Sequence, residues 1–323
     1  DPCRYTCRVI LLNGEGAAMD VWEQKFGFRT AEFTANKFLL NGKEIFFKGV
    51  NRHETNPDNG RTVSLDDMVA DITLMKRYNV NTVRTCHYPD QSLWYKLCDR
   101  YGIYLIDETN MESHGSWQKL GVCEPSWTVP GSREEWKACV LDRANSMFQR
   151  DKNHASILIW SLGNEASFGK AFFDGARYIK NRDQTRPVHY EGLQNAAPEY
   201  YYTDMVDMVS MMYTPFNEIY DKVLNNPAEN RPYVLCEYTH AMGNSCGDIA
   251  EYWDMIYNNE QMMGAFVWEW ADHGVYSKKG FLYGGDFGEV EHDGNFCCDG
   301  LLTADRKIKS AALEMKAVYG GKL

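Results

Sequence analysis

"NTVRTCHYPDQSLWYKLCDRYGIYLIDET", residues 81–109, holds the pattern that decides the fold. Two short β-rich runs, 81–86 and 103–109, flank a segment of helical length at 91–101. Val, Thr, Ile and Tyr favour extended backbone, and the segment between is long enough for a helix that returns the chain across a sheet. Both runs end on polar side chains: His87 after the first, Asp107 and Glu108 at the end of the second.

The same unit repeats on either side. Upstream, "EIFFKGV" (44–50) precedes "SLDDMVADITLMKRYN" (64–79). There Met68, Val69, Ile72 and Met75 mark one helical face, and Ser64 is a good N-cap ahead of two acids. Downstream, a helix from about Ser132 to Arg150 leads to "SILIWSLGNE" (156–165) and a helix from about 169 to 182. "PVHYEG" (187–192) and "MVDMVSMMY" (205–213) are two further strands, the first followed by at most a weak helix and the second by "FNEIYDKVLNN". "PYVLCEY" (232–238) leads to a helix around 247–259, and "GAFVWEW" (264–270) to a last helix near 308–318. Apolar strands alternating with helices imply a parallel sheet covered on its faces, and eight such units point to an α/β fold, the (β/α)8 TIM barrel. A doubly wound sheet would show a glycine-rich phosphate turn after an early strand, and none is present.

The chain has 323 residues, 44% of them apolar and 24% charged, which is the composition of a folded protein with one large core or two ordinary ones. A net charge of −11 argues against a nucleic-acid surface, which needs clustered cations. No apolar stretch approaches the roughly 18 residues of a membrane helix, and no signal peptide is visible. Ten scattered cysteines without a CxxC pair argue against a zinc knuckle and point to a reduced, cytoplasmic chain. Residues 1–30 start on Asp and alternate as two strands of a sheet whose remainder is missing, so a fragment of a longer protein is expected.

In a barrel of this kind the chemistry sits at the C-terminal ends of the strands. Seven strands end in polar residues. The first ends in Asn51, Arg52, His53 and Glu54, the second in His87, and the third in Asp107, Glu108, Glu112 and His114. The fourth ends in Asn164 and Glu165, the sixth in Tyr213, and the seventh in Glu237 and His240. The eighth supplies Trp268, Glu269, Trp270 and Asp272. Strands four and seven lie almost opposite across a barrel mouth, so Glu165 and Glu237 can face each other over a sugar ring. Glycoside hydrolysis needs such a pair, about 5–5.5 Å apart when the second carboxylate attacks the anomeric carbon. Taken singly, "NE" after a strand is more often a helix cap, and "EY" usually carries no function.

The motifs "LLNGKEIFFKGVNRHETNP", "TVRTCHYPD", "LCDRYGIYLIDETNMESHG", "IWSLGNEASFG", "VLCEYTHAMGNS" and "FVWEWAD" with "GGDFG" resemble glycoside hydrolase family 2, and within it the β-galactosidase type. The resemblance runs along the whole chain. It implies an immunoglobulin-like β-sandwich remnant at 1–30 and a catalytic barrel at 31–323. It implies retaining hydrolysis of terminal β-D-galactosyl residues, with Glu165 as general acid/base, Glu237 as nucleophile and Tyr213 hydrogen-bonding the nucleophile. His53, His87, Asn164, His240 and Trp268 match residues that hold the galactose. Glu112 and His114, with Glu165, match ligands of a Mg²⁺. The family's Na⁺ site uses a main-chain oxygen, here that of Phe296, and an asparagine; Asp299 stands in that place, which argues against Na⁺. The implied substrate is a small or oligosaccharide β-galactoside, and the implied full-length protein is a homo-oligomer. Without its flanking domains the fragment is expected to be weakly active or inactive.

Three other readings compete. A β-glucuronidase would need an Asn-x-Lys signature for the uronic carboxylate, which is not seen. A non-catalytic sugar-binding barrel would not need both glutamates. A metal-dependent barrel hydrolase expects an HxH pair on the first strand, where "NRHE" supplies one histidine.

Overall fold

The computed structural model describes residues 2–34, 37–114, 129–166, 168–195 and 204–321. In chain order, a hairpin of β1 (Tyr5–Leu12) and β2 (Ala18–Phe26) precedes a small antiparallel sheet of β3 (Ala31–Phe33), β4 (Phe38–Leu40) and β5 (Lys43–Glu44). Strands and helices then alternate: β6 (Phe47–Arg52), α1 (Leu65–Arg77), β7 (Thr82–Thr85), α2 (Ser92–Tyr101), β8 (Tyr104–Glu108), α3 (Glu134–Asp151), β9 (Ile157–Ser161), α4 (Lys170–Lys180), β10 (Val188–His189), β11 (Val209–Met212), α5 (Phe216–Ile219), β12 (Tyr233–Tyr238), α6 (Ile249–Asn258) and β13 (Met262–Val267). A short hairpin, β14 (Val275–Ser277) and β15 (Gly280–Leu282), precedes α7 (Ser310–Tyr319).

Local chemistry sets these elements. Ser64 Oγ accepts the Asp67 N–H at 3.2 Å while the Asp67 carboxylate accepts the Ser64 N–H at 2.7 Å, so α1 starts on a capping box. Its buried face is Met68, Asp71, Ile72 and Met75, with Val69 packed at the edge. The buried Asp71 was not expected there; it accepts from Arg52 (3.2 Å) and Arg306 (2.8 Å), which hold its carboxyl below the usual range against the effect of burial.

The eight barrel strands pair in parallel in the order β10-β9-β8-β7-β6-β13-β12-β11. The ladder of β13 on β6, from Gly264 opposite Phe47 to Val267 opposite Val50, sets the last strand beside the first. β10 and β11 share no ladder. Instead the Asp207 N–H donates to the Val188 carbonyl (2.9 Å) and the Val188 N–H to the Asp207 carboxylate (2.7 Å). His189 bonds Ser161 (2.9 Å) on one side and Ser210 (2.7 Å) on the other. Burial and the nearby Arg84 push that imidazole down to about 3, so it is neutral, with one donating and one accepting nitrogen.

Inside the cylinder Phe47, Ile106, Leu158, Val234, Met263 and Phe266 form an apolar plug, closed below by Phe38 and Leu40 of β4. A larger apolar shell lies between strands and helices. The β1–β2 hairpin stands apart and exposes most of its side chains, Trp22 by 52%. Arg29 ties its end to the barrel through the carbonyls of Ala155 (2.8 Å) and Ile157 (2.7 Å).

Several sequence runs overshoot their strands. "EIFFKGV" begins the barrel only at Phe47, because Lys43–Glu44 pair with β4. "PVHYEG" shrinks to Val188–His189 and turns into a 3₁₀ segment at Glu191–Asn195; a helix beyond it would fall on residues outside the described ones. The run at 264–270 is a strand over Met262–Val267. Apolar residues continue at the rim because loops there are also buried, so hydrophobicity does not mark the end of a ladder. Nine cysteines are free, and Cys123 lies outside the described residues. No helix among the described residues is long and apolar enough to cross a membrane.

Gly264 stands at the closing ladder with φ 141°, where a Cβ would collide with the Phe47 backbone. Gly264→Ala is expected to destabilise the fold by about 3 kcal/mol or more, as strained backbone and overpacking add. Urea unfolding checks this through a lowered midpoint.

Candidate active site

Alternation along each strand decides which polar endings meet. On β6, Asn51 points into the barrel, while Arg52 points out to Asp71 and Asp90 (3.0 Å) and lies 3.8 Å over the Trp94 ring. Asp107 likewise takes the Tyr95 hydroxyl (2.6 Å), Trp270 donates to Asp71, and Asp272 meets Lys309 (2.7 Å). Arg52, Asp107, Trp270 and Asp272, grouped with the mouth on sequence grounds, therefore belong to the layer between strands and helices. They are not part of the mouth.

The inward side chains converge on Arg84, in the middle of β7 and fully buried. Its guanidinium donates to Glu108 (2.8 Å), Asn51 (3.0 Å), Glu237 (2.8 Å) and Asn164 (2.7 Å). Burial alone would weaken its charge, but Glu108 and Glu237 more than reverse that. Glu108 is raised by burial and lowered further by Arg84 and His87, ending at about 2. Glu108 was among the polar strand endings read from the sequence, but Arg84 was passed over, although a charge inside a strand of buried type is itself a signal, since such a charge must be paired.

Glu237, the next-to-last residue of β12, accepts from Arg84 on one oxygen and from the Tyr213 hydroxyl (2.8 Å) on the other. Tyr213 sits at φ 48° after β11, and its N–H donates to the Glu237 carbonyl at 2.9 Å. Burial, then the charge of Glu237, raises the Tyr213 phenol far above its ordinary value, so it stays a donor. Glu165, four residues beyond β9, is raised to about 7 by burial, then by the charges of Glu237 and Glu112. A carboxyl in that state can hold a proton at neutral pH.

Around this pair stand the other expected residues. His87 Nδ1 meets Glu108 (2.8 Å) and its Nε2 meets the Asn164 amide (3.2 Å). The Trp268 indole stacks on His87 with centroids 5.3 Å apart and planes 7° from parallel. Its Nε1–H donates to Asp299 (2.9 Å), whose same oxygen lies 3.3 Å from His240 Nε2. His53 bonds the Tyr88 hydroxyl (3.0 Å) through Nδ1. Burial, then the neighbouring His273, keeps its imidazole well below its ordinary value and so neutral. Asn164 also donates to Glu112 (2.7 Å), and His114 Nδ1 lies 2.7 Å from Glu165. One ligating atom each of Glu112, His114 and Glu165 lies within 4.8 Å of the others. Two carboxylates and an imidazole suit a hard divalent cation. Phe296 is exposed, its ring 5.8 Å from that of His240.

Glu191, also missed from the sequence, is buried beside these groups and raised to about 8 by burial, with Arg84 opposing and Glu165 and Glu237 adding to the rise. The arrangement can deliver a proton from one carboxyl and hold the charge of another within one mouth.

The family model described as "Glycosyl hydrolases family 2, TIM barrel domain" matches residues 31–322. A protein of Halalkalibacterium halodurans named beta-galactosidase is 48% identical over 99% of this chain, which covers 32% of that protein. One of Clostridium acetobutylicum with the same name is 45% identical, with 99% of this chain and 36% of that protein covered. A "Beta-galactosidase large subunit" of Latilactobacillus sakei is 44% identical over 99% of this chain and 51% of its own length. The chain thus spans about a third to a half of these relatives. Among solved structures, the apo β-glucuronidase of Ruminococcus gnavus superposes with a TM-score of 0.78 at 24% identity, covering 98% of this chain and 57% of that one; this likeness speaks for the fold alone.

The pairing of Glu108 carries a pH signature. Its folded value near 2 lies below the ordinary glutamate value of about 4.3, so its stabilisation is present above about pH 4.3 and is lost as pH falls towards 2. Glu108→Gln should cost about 3–5 kcal/mol near neutrality, because it removes one of the two buried carboxylates paired with Arg84. Urea melts should show its deficit relative to the parent shrinking as the solution is acidified below about pH 4.3.

Proposed function

The chain belongs to glycosyl hydrolase family 2, and from that premise we propose that it is the catalytic barrel of a retaining β-galactosidase. One observation carries the reading: Glu237 is fastened between two donors, Arg84 and Tyr213, while Glu165 in the same mouth is raised to about 7. Glu165 gives its proton to the glycosidic oxygen as the Glu237 carboxylate attacks the anomeric carbon. The leaving alcohol departs, and a galactosyl ester on Glu237 remains. Glu165, now ionised, takes a proton from water, whose oxygen displaces Glu237 and releases galactose with its configuration retained. Arg84 and Tyr213 hold the attacking carboxylate in one orientation, which is where proximity gains its effect.

His53, His87, Asn164 and His240 bind sugar hydroxyls, and Trp268 offers its indole face to the apolar face of the ring. Support for galactose over glucuronic acid comes from the names of the relatives at 44–48% identity and from the missing Asn-x-Lys signature. Glu112, His114 and Glu165 would hold Mg²⁺, whose charge would tune the proton affinity of Glu165 when bound. Na⁺ is left out, since one Asp299 oxygen already fastens Trp268 and His240. The exposed apolar residues of β1–β2, such as Val9, Leu11 and Trp22, support a role for that hairpin as an edge of an immunoglobulin-like sandwich. The nine free cysteines fit a reduced, cytoplasmic setting, and a homo-oligomeric full-length enzyme follows the family pattern.

A panel of nitrophenyl glycosides on the full-length protein tests the sugar: the β-galactoside should be hydrolysed, and hydrolysis of the glucuronide alone would refute the reading. Glu165→Gln should lose about 10²–10⁴-fold in kcat on lactose-like substrates, and far less on nitrophenyl ones whose leaving group needs no proton. Glu237→Gln should lose both.

A further inference from the structure

We infer that His53, Glu269 and His273 form a second cation site, suited to Zn²⁺ or a similar borderline divalent metal, which closes the sugar pocket when filled. One ligating atom from each residue lies within 4.8 Å of the other two. The donor set differs in kind from Glu112, His114 and Glu165. Two imidazoles and one carboxylate favour zinc-like metals, whereas two carboxylates and one imidazole lean towards hard cations. A metal-dependent barrel would place two histidines on its first strand. Here the second histidine reaches His53 from the other side of the barrel's closing ladder.

The local structure prepares the three side chains. His53 uses Nδ1 towards the Tyr88 hydroxyl, which leaves Nε2 for a metal. Its ring meets that of His273 edge to face, with centroids 4.9 Å apart. His273 Nε2 lies 2.9 Å from the Glu269 carboxylate, and Glu269 is 1% exposed. The backbone around them is pinned on both sides: the Glu269 N–H donates to the Asp299 carbonyl (2.9 Å), and the His273 N–H to the Cys297 carbonyl (2.8 Å). Bond lengths of about 2.0–2.1 Å put tetrahedral ligands roughly 3.4 Å apart, so small side-chain rotations suffice. Asp299 adds negative charge nearby and Arg61 opposes it. Three protein ligands leave a fourth position for water or a sugar hydroxyl. With His53 drawn onto the metal, its hydrogen bond to the substrate is lost.

That inhibitory consequence rests on the sugar-binding role proposed for His53; the cation site does not. The test uses full-length protein with saturating Mg²⁺, Co²⁺ as a spectroscopic probe and Zn²⁺ as an inhibitor. Co²⁺ should give a tetrahedral visible spectrum without thiolate charge transfer, and Zn²⁺ should inhibit competitively with the sugar. His273→Gln should weaken both by about 100-fold or more, since loss of even an outer-shell partner costs 10–100-fold. His273→Glu, which restores a donor, should recover binding. Unchanged Co²⁺ affinity in His273→Gln, a thiolate band, or loss of binding on His114→Asn instead would overturn the site. Tight binding without inhibition would count against the role of His53 and leave the cation site standing.

Discussion

Arg84 is the constraint on which the rest depends. A guanidinium removed from water is tolerated only when its donors find acceptors, and here these come from four places in the chain: Asn51, Glu108, Asn164 and Glu237. Those residues lie on or just past β6, β8, β9 and β12. Only a sheet curved round on itself presents all four to one side chain. The cost of leaving the charge unmatched therefore ties the geometry of the mouth to closure of the barrel. The same arrangement fixes Glu237 in place and sets Asn164, the neighbour of Glu165, against it.

The barrel carries two charge systems back to back. The inner one, around Arg84, faces the mouth. The outer one, Arg52 and Arg306 on Asp71, locks β6 to α1 and to the segment before α7. Both use the same alternation of side chains along a strand, and neighbouring residues such as Asn51 and Arg52 serve opposite systems. The outer network anchors the first strand in register, and the inner network holds the residues of the proposed active site.

The fold was largely legible in the sequence because strand and helix periods are strong where burial is one-sided, as in α1, and because polar endings recur after apolar runs. The meeting of Glu237 with Tyr213, and the place of Glu165 near them, were legible through the motifs around these residues. What was not legible is direction. Period-2 alternation does not say which phase faces inward, so Arg52, Asp107, Trp270 and Asp272 were grouped with the mouth, and Arg84 was left out. Glu191 and His273 escaped for a different reason: a carboxyl after a two-residue strand and a histidine in a loop have no local pattern that marks them. Their neighbours come from distant parts of the chain.

The most direct measurement is to trap the full-length enzyme with an activated 2-fluoro-galactoside and locate the labelled peptide by mass spectrometry. A single 2-fluorogalactosyl ester is expected in the peptide containing "VLCEY", on Glu237. A label on Glu165, Glu191 or Glu112, or turnover with no trapped ester, would contradict it.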